Sequence, residues 1–147
     1  MTLAKKNIFL LAVAIIIVIF FIVKNVVVSR EKFIIINNKE IKAEIADTPE
    51  LKYKGLSNRD YLCEYCGMLF LFNDMGERIF VMREMKFNLD IIWIEDDKIV
   101  KIDKDLHKEG INPKEIYSSG QAVDKVLEVN ANFCDKNNIK FGDNIIF

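Results

Sequence analysis

The chain has 147 residues, 51% of them hydrophobic and 29% charged, with a formal net charge of −1; that suits one domain with a sizeable apolar core and excludes a disordered chain. Residues 1–30 hold Lys5, Lys6, Lys24 and Arg30 and no acid, which leaves 17 basic against 22 acidic residues beyond them, a balance of −5. So acidic a body repels phosphate backbones, and no nucleic-acid partner is expected.

From Ile8 to Val23 the sequence reads IFLLAVAIIIVIFFIV without one polar side-chain atom, and after Lys24 and Asn25 it resumes with Val26, Val27 and Val28. Sixteen apolar residues fall slightly short of a bilayer, but Lys24 can snorkel to the interface, so Ile8 to Val28 is expected to form one transmembrane helix. A buried core helix would need a polar face, and this segment has none. Cleavage as a secretory signal near Val27-Val28-Ser29 is the rival reading. The run is longer than an ordinary signal core, and no cysteine follows it closely, so retention as an anchor is favoured. The positive-inside count is nearly tied, with Lys5, Lys6 and the α-amino group facing Lys24, Arg30 and Lys32. The orientation adopted is N-terminus cytoplasmic and body extracytoplasmic, which places the body, residues 31–147, outside the cell membrane as a single domain.

Beyond Arg30 the periodicity shortens. Phe33 to Ile36 and Ile41 to Ala46 read as strands joined across Asn37-Asn38, residues that tolerate the left-handed backbone of a tight hairpin. Further strands are expected at Gly67 to Phe72, Arg78 to Met82, Leu89 to Glu95, Ile99 to Ile102, Val123 to Val129 and Asn144 to Phe147, about eight in all. Asn73-Asp74-Met75-Gly76, Asp96-Asp97-Lys98 and Phe141-Gly142-Asp143 supply reversals between them. Thr48-Pro49-Glu50-Leu51 offers a capping hydroxyl before a first-turn proline, and Gly55 a left-handed exit, so Pro49 to Lys54 is expected to be a short helix. Ala131 to Asn137 is a second candidate. The pattern predicts a mainly β fold, a small antiparallel β-sandwich or barrel of jelly-roll type with one or two short helices.

Four stretches carry a resemblance: AEIADTPELKYKGL at Ala43 to Leu56, GMLFLF at Gly67 to Phe72, LDIIWIEDDKIVKI at Leu89 to Ile102, and VLEVNANFCDKNNIKFGD at Val126 to Asp143. In this order they resemble the prokaryotic domain-of-unknown-function 192 family, over about Ile41 to Phe147. The resemblance implies a small, mainly β fold of jelly-roll or barrel type, often behind an export signal or membrane segment, and no established activity. Where the family commonly reads FWMKNT and then a proline before LD, this chain has FVMREMKFN before Leu89-Asp90, without the proline or the Asn-Thr pair. Before GMLF the family usually has an acidic, proline-containing linker, and here stands Cys63-Glu64-Tyr65-Cys66.

That CEYC unit is the sharpest chemical feature. Two thiols at this spacing can form a redox-active or structural disulfide, or half of a zinc site. Zinc would need Cys134 and His107, neither in a second paired motif, so no metal is expected. Cys134 is read as a buried small hydrophobe. Met68, Met75, Met82 and Met85 are soft donors suited to Cu(I), but core packing explains them better. His107, the one histidine, has no positional link to Ser118 or Ser119, so no triad and no cofactor is expected. Two functions follow. The first is a non-enzymatic envelope module binding a small molecule, peptide or neighbouring protein near Arg59, Met82, Arg83 and Asp90. The second is a thiol-disulfide protein using Cys63 and Cys66.

Overall fold

The computed structural model describes residues 30–147 together with Val13 and residues 15–17, which are helical. Apart from those four positions, the expected anchor at Ile8 to Val28 lies outside the described residues. Among the described residues no helix is long and apolar enough to cross a membrane.

The body consists of β1 (Glu31–Ile36), β2 (Lys39–Ala46), α1 (Pro49–Lys54), β3 (Cys66–Phe80), β4 (Leu89–Glu95), β5 (Lys98–Leu106), β6 (Tyr117–Asn130), α2 (Phe133–Lys136) and β7 (Ile145–Ile146). Asn37 and Asn38 close the β1–β2 hairpin with φ of 49° and 62°, the left-handed pair their side chains tolerate. The seven strands form one sheet in the order β5-β4-β6-β3-β2-β1-β7. It curls so that its outermost strands meet at one end: Lys98 bridges Asn144, the Ile99 amide donates to the Asp143 carbonyl (3.0 Å), and the Ile145 amide to the Asp97 carbonyl (2.8 Å). The result is a mainly β half-barrel.

Of the sandwich or barrel expected, the chain forms the barrel-like alternative, one curled sheet, and two expectations change. The sheet is not wholly antiparallel, because β2 and β3 run parallel from Lys42↔Cys66 to Ala46↔Phe70. Residues 47–65, carrying α1, make the crossover that a parallel pair requires. The strands expected at Gly67 to Phe72 and Arg78 to Met82 are one strand, β3, because Asn73 to Gly76 forms no reversal. These residues are absorbed as a bulge against β6, between the pairs Leu71↔Lys125 and Gly76↔Val123. Met82 lies past the strand's end.

The alternation of side chains explains the unbroken apolar run in β4. On one face Ile92, Ile94, Leu69, Leu127 and Val129 join Ile34, Ile36 and Ile41 beneath α2. On the other, Ile91, Trp93, Met68, Phe70 and Val126 pack with Leu56, Met82 and Met85. Central strands β3, β6 and β4 are thus buried on both faces. Gly67 makes this approach feasible: a Cβ there would lie 2.7 Å from the Glu128 carbonyl oxygen of β6.

Candidate functional site

The second face is only partly covered. Thr48 Oγ1 accepts from the Leu51 amide (3.3 Å), Pro49 occupies the first turn, and the Gly55 amide closes α1 on the Leu51 carbonyl at φ 50°. This short helix presents Lys52, Tyr53 and Lys54, and its exit drives Leu56 into the core. Two bonds then stitch the following loop to the β3–β4 loop: Ser57 Oγ donates to the Arg83 carbonyl (2.8 Å) and the Asn58 amide to the Glu84 carbonyl (2.8 Å). Arg83 reaches back, donating from Nη2 to the Tyr53 carbonyl (2.6 Å) with its guanidinium 3.8 Å from the Tyr53 ring centroid.

Between α1, these loops and the sheet lies an open cleft of about 250 Å³. Its walls include Phe70, Phe72, Ile79, Phe80, Leu56 and Met85, and its mouth Lys52, Lys54 and Arg83. Phe80 sits edge-on to both Phe70 (4.8 Å) and Trp93 (5.5 Å), a rigid aromatic wall. Lys52 Nζ and Arg78 Cζ both lie against the Phe72 ring, 4.4 and 4.1 Å from its centroid. Burial and, after it, the Arg78 charge pull the Lys52 ammonium below its ordinary pKa, with Asp74 opposing.

Glu128 also lines this cleft. It projects from β6 between Met68 of β3 and Ile91 of β4, 6% exposed, and its Oε2 is buried without a hydrogen-bond partner among the described residues. Burial pushes its pKa up to about 8, although the Arg59 charge pulls the other way; the carboxyl is therefore largely neutral at pH 7. Arg59 is itself held as a fork by both Glu44 oxygens, which raises its pKa. Two guanidinium donors, Nε of Arg78 and Nε of Arg83, are likewise buried and unpartnered among the described residues.

Of the four residues expected to bind ligand, the cleft contains Arg83 alone. Met82, 1% exposed, packs in the core beneath it, and Arg59 stands behind Glu128. Asp90 belongs to the opposite face, where its carboxylate accepts the amides of Asp105 (2.9 Å), Asn132 (3.1 Å) and Cys134 (2.9 Å). Sequence reading missed Glu128, Lys52, Arg78 and the phenylalanine wall. A lone acid inside the apolar VLEV run was the available signal, since a strand buried on both faces leaves such a carboxyl no route to water.

Cys63 and Cys66 are joined by a disulfide at the edge of β3, with Cys63 exposed. Cys134 is buried and free, its thiol pKa raised by burial and by Asp90. A second depression of about 300 Å³ beside this loop is lined by Leu62, Glu64, Asn130 and Phe133. Among the described residues no group of His, Cys, Asp or Glu is placed to hold a metal. Met68, Met82 and Met85 pack in the apolar cluster while Met75 is exposed on the bulge. His107 meets Asn88, whereas Ser118 donates to Glu77 and Ser119 to the Gln121 carbonyl.

Two solved structures share this fold. One, from Novosphingobium aromaticivorans DSM 12444, is a protein of unknown function: 24% identity, TM-score 0.76, covering 84% of this chain and 89% of that one. The other, a candidate transcription regulator from Sinorhizobium meliloti 1021, has 23% identity and TM-score 0.74, covering 80% of this chain and 94% of that one. No curated protein matches the chain. The profile of the DUF192 family, described as "Uncharacterized ACR", matches residues 32–147. Those residues contain all of the half-barrel except the first residue of β1, and every residue of the cleft, and the chain belongs to the domain-of-unknown-function 192 family.

Proposed function

We propose that this protein is a membrane-tethered, extracytoplasmic binding module whose ligand occupies the cleft between α1 and the β3–β4 loop. One observation carries the reading: an open cleft with an apolar aromatic wall whose lining includes two buried polar atoms, Arg83 Nε and Glu128 Oε2, that have no hydrogen-bond partner among the described residues. Unpartnered buried donors and acceptors are costly, and a bound molecule is one way to satisfy them. The apolar run from Ile8 to Val23 supports the tether, and because β1 starts at Glu31 the body would sit directly against the bilayer.

Thermal-shift screening of the full chain in nanodiscs against nucleotides, sugars, cell-wall fragments and small organic acids tests the binding role. One class is expected to raise Tm in the wild type and not in Ile79→Trp, which fills the cleft from an exposed position. The absence of any shift overturns the proposal. Protease shaving of intact cells tests the orientation, with digestion of the body expected.

A second reading, thiol-disulfide exchange, is favoured by the exposure of Cys63 within the bonded pair. It predicts that Cys63→Ser abolishes exchange with a dithiol reporter. Against it, the pair leads into strand β3 at Cys66 and not into a helix, whereas exchange proteins place the attacking cysteine at a helix N-terminus. A structural bridge across so short a loop stabilises by no more than about 2 kcal/mol. Reduction is therefore expected to lower stability by that amount or less, and a wild type without exchange activity excludes the redox role.

A further inference from the structure

We propose that the cleft is specific for a small organic carboxylate, its anionic head between Lys52 and Arg83 and its apolar body along Ile79 and Phe80. This rests on the binding role proposed above and adds the ligand's chemical class. Three features of the site select that class.

The first is size. Water occupies roughly 30 Å³ per molecule, so about 250 Å³ corresponds to some eight waters. Such a space takes up a group on the order of ten non-hydrogen atoms, below the cavities that hold whole drug-sized molecules.

The second is charge. Lys52, Lys54 and Arg83 converge at the mouth, with Arg78 behind Lys52 across Phe72. Asp74 pairs with Arg78 and Glu84 lies at ion-pair distance, 3.9 Å, from Arg83 Nε, so the cationic excess at the mouth rests chiefly on Lys52 and Lys54. Lys52 and Arg78 share the Phe72 ring, and burial first and the Arg78 charge second lower the Lys52 pKa. A carboxylate at the mouth would supply a counter-charge between Lys52 and Arg83.

The third is the wall. Phe72, Phe80 and Ile79 offer apolar surface, and the largely neutral Glu128 carboxyl adds little opposing charge at pH 7. Inorganic phosphate would satisfy the mouth and leave that wall wet, and an uncharged hydrocarbon would do the reverse. The geometry therefore requires both parts in one molecule.

The test is calorimetric titration of the full chain in nanodiscs with three probes: phenylacetate, the isosteric uncharged phenylacetamide, and inorganic phosphate. Phenylacetate is expected to bind at least tenfold more tightly than either of the others. Lys52→Gln, a change at a partly exposed helix position, is expected to weaken phenylacetate about tenfold and to spare phenylacetamide. Equal affinity for phenylacetate and phenylacetamide, both lost in Ile79→Trp, overturns the carboxylate specificity and leaves the binding role standing. Failure of phenylacetate to bind, or tightest binding by phosphate, overturns the specificity as well. Only an additional absence of any stabilising class in the thermal screen removes the binding role with it.

Discussion

Asp90→Ala is expected to destabilise the fold by roughly 3–5 kcal/mol, measured by denaturant unfolding of the full chain in nanodiscs. The carboxylate is fully buried and accepts three backbone amides, from Asp105 in β5 and from Asn132 and Cys134 at the start of α2. Hydrogen bonds to a charged acceptor contribute about 1.5–3 kcal/mol each, and alanine would leave all three amides without a partner. Asn132 is left-handed at φ 66° and its side chain does not cap α2, so Asp90 takes over the amides that the helix start leaves open. Asp90→Asn should retain two of the three bonds and lose less. A loss below 1 kcal/mol for the alanine variant would show that these amides find water, and that Asp90 is not the fold's internal cap.

Glu128→Gln is expected to act in the opposite direction and to depend on pH. Burial holds the folded carboxyl at a pKa of about 8, against an ordinary value of 4.5. Between those values the folded state keeps a proton that the unfolded chain has released, so stability falls as pH rises and the loss is complete near pH 8. Each unit corresponds to about 1.4 kcal/mol. Glutamine carries no such linkage, and the variant should gain roughly 3 kcal/mol relative to wild type between pH 5 and pH 8. Equal pH profiles for the two proteins would mean that Glu128 is already ionised in the fold.

Strand positions followed from the sequence because β1 and β2 alternate, β4 is a short apolar run, and the turns carry asparagine or aspartate at left-handed positions, Asn37, Asn38 and Asp96 among them. The continuity of β3 did not, since a bulge built from Asn73 to Gly76 contains the same residues as a turn, and only pairing with β6 separates the two. Neither did the parallel β2–β3 pair, whose direction is set by a 47–65 crossover carrying only a six-residue helix. Arg83 was legible as a basic residue in an aromatic and methionine-rich loop. Asp90 was legible as an acid at the start of an apolar run, but its assignment to one face depends on the strand's register. Glu128 and Lys52 lie about 75 positions apart and meet only when α1 folds over the strand next to β6, a relation that no local pattern contains.

Amide chemical-shift mapping of the isotope-labelled full chain during a phenylacetate titration tests the central claim, that this cleft is the functional site. The account predicts perturbations concentrated at Lys52 to Ser57, at Phe80 to Met85 and at Glu128. Perturbations confined to Leu62, Asn130 and Phe133 beside the disulfide would contradict it.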